Sequence, residues 1–268
     1  MGLFGKLFEK KTCDICGGEI GLLGNQKLED GNLCKNCAKK LSPWFEERRH
    51  STVEEIRAQL QYRQENQTRV NQFCTTRSMG ESNRVLLDET HGWLTVTRQR
   101  DMQEENPDIL DFSAITGCRM DIHESHRELT YEDSEGKKVS YNPPRHEYSY
   151  SFYMIITVNN PYFDDMKFRL NDSTVEFEDG PNMAGRRTGG FFDLGRSMFD
   201  PMNNPDYRYY YNLSQEICQA VRDAQAQSQK APVEPASEPA PTAGPWNCPA
   251  CGARNHGKFC ESCGSPRP

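Results

Sequence analysis

Uninterrupted apolar sequence is scarce in this 268-residue chain, in which hydrophobic residues make up 35% and mean hydropathy is -0.85. One globule using the whole length is therefore not expected, and part of the chain should be linker or loop. The most apolar stretch, Phe152 to Val158, is far below the roughly 18 residues that a membrane-spanning helix requires. The opening MGLFGKLFEKK has too short an apolar stretch and no small-residue cleavage site for a secretory signal, which points to the cytoplasm. Concentrated positive charge is also missing. Residues 51–244 carry 20 Lys+Arg against 31 Asp+Glu, and only the two ends are slightly basic, so the middle is a poor surface for a phosphate backbone.

Enzymatic motifs are lacking too. No glycine-rich loop leads from a strand into a helix, and no serine or cysteine nucleophile motif occurs. The cluster Asp121, His123, Glu124 and His126 departs from the HExxH spacing of zinc proteases. On a strand its two histidines project to opposite faces, so it reads as a solvated strand end. No catalytic residues, organic cofactor or small-molecule substrate are inferred, and the protein is not expected to be an enzyme.

What is present is cysteine, eleven in all, and eight fall into four CxxC pairs. Without a secretory signal, paired thiols point to metal rather than disulfides. Cys13, Cys16, Cys34 and Cys37 form one set, and Cys248, Cys251, Cys260 and Cys263 the other. Two CxxC turns present four thiolates to one tetrahedral ion, so two zinc ions per chain are predicted, one near each end. Four sulfurs leave no open coordination position, and His256 beside the second set is assigned to the surface or to packing. Cys74, Cys118 and Cys218 are scattered and are expected as small core residues.

Composition and periodicity divide the chain into five parts. Residues 1–50 hold an amphipathic leader and a finger in which Ile20, Leu22, Leu23, Leu28 and Leu33 suggest short hairpin strands and Ser42-Pro43 a helix start. Residues 51–79 read as a connecting helix capped by Ser51 and Glu54, with Val53, Ile56, Leu60, Gln67, Val70 and Phe73 as its stripe. Residues 80–228 alternate as strands and close with a helix over 207–227 carrying Leu213, Ile217 and Val221 on one side. The segment 179–204, with Phe191, Phe192, Met198 and Phe199, reads as a long loop. Residues 229–245 are a Pro/Ala-rich linker, and residues 246–268 a minimal zinc ribbon. The fold class is thus α+β and multidomain, with antiparallel strands.

The opening, from MGLFGKLFEKK through CDICGGEIGLLGN to LCKNCAKKL, resembles the zinc-finger domain of an uncharacterised bacterial family of unknown function. That resemblance implies a treble-clef-like finger with Cys13, Cys16, Cys34 and Cys37 as ligands, and supplies no activity. The tail WNCPACGARNHGKFCESCGSPRP is similar to zinc-ribbon tails on bacterial proteins of varied function. In element order alone, residues 80–228 resemble a pleckstrin-homology-like domain. Together these imply a non-enzymatic scaffold with tethered recognition modules and protein partners. Two alternatives stand beside it, a nucleic-acid-associated regulator using the zinc modules, and a membrane-peripheral protein using the middle domain and Leu3, Phe4, Leu7 and Phe8 of the leader.

Overall fold

In the computed structural model, which describes residues 11–178, 200–230, 246–255, 260, 262–263 and 265, the finger is assembled from very short strands. β1 (Lys11–Thr12) pairs antiparallel with β2 (Glu19–Ile20), and β3 (Asn25–Lys27) with β4 (Asn32–Cys34). Pairs this short are not stable alone. Ile20, Leu28 and Leu33 turn inward and pack with Cys13, Cys37 and Leu41. Leu22 and Leu23 do not join a strand. The Gly24 N–H closes onto the Gly21 carbonyl at 2.8 Å, which makes a tight turn and leaves both leucines exposed. α1 (Lys35–Ala38) follows β4 with Cys34 as its N-cap. The helix expected at Ser42-Pro43 is no more than a turn, in which the Phe45 N–H reaches the Ser42 carbonyl (3.2 Å) while the Ser42 hydroxyl accepts the Trp44 N–H (3.1 Å) and donates to Asp108 (2.8 Å).

α2 (Val53–Gln72) begins one residue later than the capping motif suggests. Thr52 and Glu55 form the capping box, while the Ser51 hydroxyl donates to the Glu47 carbonyl. Asp30 in the finger accepts the Val53 N–H at 2.8 Å, so the finger itself satisfies one of the orphan donors of the first turn. Gly31 makes this approach possible, since a Cβ there would lie 2.5 Å from Val53 Cγ2 and 2.8 Å from Asp14 Oδ2. The buried face of α2 is Ile56, Gln59, Arg63, Asn66 and Val70; of the apolar stripe read from the sequence, only Ile56 and Val70 are buried.

Beyond α2, β5 (Arg77–Met79), β6 (Arg84–Asp88), β7 (Trp93–Thr97) and β8 (Leu110–Asp111) make a four-stranded antiparallel sheet in chain order, with α3 (Met102–Glu105) before β8. A second four-stranded sheet contains β9 (Ile115–Glu132), β10 (Lys138–Asn160), β11 (Phe163–Arg169) and β12 (Val175–Glu178). β10 is its spine, with β9 along one edge and β11 and β12 along the other. The β9–β10 register shifts between Ser140 and Arg145, around Pro143 and Pro144, which lack the N–H a ladder needs.

The core lies between the sheets and α4 (Pro205–Lys230). Tyr150, Phe152, Met154, Ile156 and Val158 follow the two-residue period of a strand, and Leu213, Ile217, Val221 and Ala224 the helical one. Each such fully buried large side chain stabilises the fold by about 1.5–3 kcal/mol. Cys218 belongs to this core and Cys118 is half-buried against it, whereas Cys74, expected inside, is exposed just beyond α2. The chain divides into two compact units, Met1–Gln229 and Lys230–Pro268. In the second, β13 (Trp246–Asn247) pairs with β14 (Arg254–Asn255), and among the described residues its buried apolar cluster is Cys248 and Cys260 with Ala253 against them. The leader, the segment 179–199 with its aromatic residues, the linker 231–245 and His256 lie outside the described residues.

Candidate metal centres

Both cysteine sets open with the same local turn. In the finger the Gly17 N–H reaches the Cys13 carbonyl at 2.8 Å and the Cys13 N–H reaches the Gly18 carbonyl at 2.9 Å. In the tail the Gly252 N–H reaches the Cys248 carbonyl at 2.8 Å and the Cys248 N–H reaches Ala253 at 2.9 Å. Each turn needs a residue of positive φ, and glycine supplies it, at +72° for Gly17 and +74° for Gly252. The second half of the finger set is carried by the start of α1, where the Cys37 N–H points at Cys34 Sγ (3.4 Å) while the Cys34 N–H points at Cys13 Sγ (3.3 Å).

These turns bring the four Sγ atoms of each set within 4.8 Å of one another. Cys16 and Cys34 are 3.8 Å apart, Cys248 and Cys263 3.6 Å, and Cys251 and Cys260 3.4 Å. A tetrahedron with metal–sulfur arms of about 2.3 Å has edges of about 3.8 Å, so the cages have the size that a four-thiolate ion requires. All eight cysteines singled out in the sequence are thus gathered into two sets able to hold a metal ion. Among the described residues no further group of three or more His, Cys, Asp or Glu side chains is placed to share one.

The electrostatics of the thiols point the same way. Burial works against ionising Cys13, but backbone hydrogen bonds at Cys16 and Cys34 outweigh it and bring the thiol down to about 6. Cys260 is likewise brought to about 6, where burial is opposed by the backbone at Cys263 and Ser262. Their neighbours move the other way. Burial and the surrounding thiols push Cys37 up, and at Cys251 the other three thiols overcome a favourable backbone contact at Ala253 and raise it to about 12. In the finger Cys13 is the thiol drawn down, in the tail Cys260 and Cys263 both are, the latter by hydrogen bonds at Ser265, and the thiolates so favoured work against ionising their neighbours. A divalent cation removes that repulsion and lets all four sulfurs ionise together, which is the chemistry this donor set fits.

The finger is fastened to the rest of its unit by polar contacts that sequence reasoning passed over. Arg63 donates to Asp108 at 2.8 Å and to the Lys40 carbonyl at 3.3 Å, and Ser42 donates to the same Asp108. Asn66 donates to the Pro107 carbonyl (2.8 Å) and accepts the Ile109 N–H (2.8 Å). The only sequence signal was spacing, because Gln59, Arg63 and Asn66 continue the three–four rhythm between Ile56 and Val70. A cleft of about 590 Å³ lies alongside, lined by Ile15, Cys16, Cys37, Lys40, Leu60 and Arg63. The cluster of Asp121, His123, Glu124 and His126 is not gathered around one point. His123 meets Asp121 (3.1 Å) and Tyr153, whereas His126 lies against His146 and Tyr148, whose register places them on the other face of β9.

No curated protein and no solved structure matches the chain. Residues 12–59 match the model of a family described as a domain of unknown function, DUF4428. The matched span holds the complete finger cage and runs into α2 as far as Gln59, so it takes in Ile56, the helix residue that is fully buried in the finger's own core.

Proposed function

We propose that the chain is a non-enzymatic zinc-binding interaction protein, in which a treble-clef-like finger, a pleckstrin-homology-like β domain and a zinc-ribbon tail serve as recognition surfaces for protein partners. The observation that carries this reading is that each cage is closed. Four cysteine sulfurs fill four tetrahedral positions, which leaves none for a substrate or an activated water. Zinc is favoured as the ion because tetrahedral all-thiolate cages at this spacing suit a metal with no geometric preference of its own. The order of two four-stranded antiparallel sheets followed by α4 supports the pleckstrin-homology-like reading. The cleft beside Cys16 and Cys37, walled by the finger, α2 and α3, is a concave surface of mixed character, with Ile15 and Leu60 apolar, Lys40 and Arg63 basic, and Glu104 and Glu105 acidic.

The test is a nuclease-treated, crosslinked affinity purification from the native cell that compares the full chain with a chain ending at Gln229. Protein partners that survive nuclease and depend on the tail establish the adaptor reading. Recovery that collapses on nuclease treatment transfers the function to nucleic acid, and flotation of the intact chain with anionic liposomes would transfer it to a membrane surface.

A further inference from the structure

Two of the three cysteines outside the metal cages meet in space although 100 positions separate them. Cys118 lies on β9 and Cys218 on α4, with their Sγ atoms 3.3 Å apart. This is a held position and not a passing approach, because the helix and strand are joined on either side of it. The Ser214 hydroxyl, which donates to the Tyr211 carbonyl of its own helix at 2.6 Å, rests against the Met120 sulfur at 2.7 Å, and Gln225 donates to the Ile115 carbonyl at 2.8 Å. Positions 214, 218 and 225 share one face of α4, and they run against β9 in the opposite direction to positions 120, 118 and 115. The core residues Ile217 and Val221 lock the helix in that register.

We propose that Cys118 and Cys218 are a modification site, a dithiol that hydrogen peroxide converts to a disulfide pinning α4 to β9. A disulfide needs its sulfurs at about 2.05 Å, so closure requires a further approach of about 1.2 Å, within reach of side-chain rotation. The first sulfur attacks one peroxide oxygen, the O–O bond breaks, and the departing hydroxide takes up the thiol proton as water. The sulfenic acid formed is then attacked by the second sulfur, which makes the S–S bond and releases a second water. Two thiols are oxidised and one peroxide is reduced. Cys118 is partly exposed, which gives a small oxidant a path to the pair, and Cys218 is buried, which keeps larger reagents out. The chemistry is favoured by the pair's own hydrogen bond. That bond leaves the proton on Cys118, whose thiol it and burial push up, and draws Cys218 down to about 7 with help from Arg222 one turn along the helix, so Cys218 is the sulfur that attacks.

The experiment treats the reduced, metal-loaded full chain with a small excess of hydrogen peroxide, alkylates remaining thiols in denaturant and maps unreduced peptides by mass spectrometry. The expected result is a linked pair of peptides bearing Cys118 and Cys218, lighter by two hydrogen atoms and released by dithiothreitol. The thermal transition of the first unit should rise by several degrees on oxidation, since the link closes a long loop. Cys118→Ala, which leaves the buried partner in place, should abolish both the link and the rise. If both cysteines remain alkylatable at a dose that already oxidises Cys74, or if Cys218 passes to sulfinic acid without a link, the proposal fails. Peptide mapping of the unsubstituted chain decides the matter even where the variant folds poorly.

Discussion

Asp88 shows how much one carboxylate organises at the turn between β6 and β7. Its Oδ2 accepts the Cys74 N–H and meets His91 Nδ1, both at 2.7 Å, while Oδ1 accepts the N–H groups of Thr90 and His91 at 3.1 Å. Burial opposes ionisation, but these donors outweigh it and hold the carboxyl below the ordinary range. A depressed carboxyl stabilises the folded state above the unfolded value of about 3.9, and that stability is lost as pH falls through the folded value. Asp88→Asn places an amide N–H where Cys74 and His91 need an acceptor. The variant should lose about 1.5–3 kcal/mol in urea unfolding at neutral pH, and its deficit should shrink below about pH 4. The difference between variant and parent is the quantity to read, because acid also protonates the cage thiols. A deficit that stays constant with pH would assign it to packing instead. Gln59 is the opposite case, fully buried with neither amide atom paired among the described residues. Gln59→Met keeps its volume and removes the unsatisfied groups, so the thermal midpoint should rise. A fall would mean that the amide has a partner beyond the described residues.

At the scale of elements, α2 decides how the finger is held. Its start is set by Thr52, Glu55 and Asp30, and its buried face places polar Gln59, Arg63 and Asn66 between apolar Ile56 and Val70. The sequence makes the helix legible and hides its face, because a search for apolar rhythm discards Arg63 and Asn66. Their partners, Asp108, Asn106 and Pro107, lie forty or more positions away, and nothing local announces that pairing. The β strands and α4 are read easily for the converse reason, since their inward positions are apolar at the period of the element. β5, inside the span 51–79 read as helix, is missed because a three-residue strand carries too little pattern. Within α2, Arg63→Ala leaves Asp108 buried and uncompensated, and should cost about 3–5 kcal/mol. Arg63→Met combined with Asp108→Leu removes both charges and should recover most of that loss, a relation that a double-mutant cycle in urea measures directly. Additive losses would show that the pair is not coupled.

Across the whole molecule, the two cages stand in different relations to the folded chain. The ligand sets were legible because each is made of local CxxC turns, and a turn of four residues is fixed by its own backbone. What spacing leaves unstated is how much structure depends on each cage. The finger cage shares its apolar core with Ile56, and through Arg63 and Ser42 it is tied to Asp108 in the first unit. The tail cage has Cys248, Cys260 and Ala253 as its apolar cluster among the described residues, and a module of residues 246–268 is too small to fold on a core of its own, so its ion is expected to supply most of its folding energy. Unequal consequences follow from equal ligand losses. Cys260→Ser should reduce the metal content from two ions to one and leave the main thermal transition where it was. Cys34→Ser should remove the other ion, lower that transition by several degrees and expose the Arg63–Asp108 contact to water. Elemental analysis paired with calorimetry on the two variants separates these outcomes. Equal shifts in the main transition would mean that the stability of the first unit does not rest on its own cage.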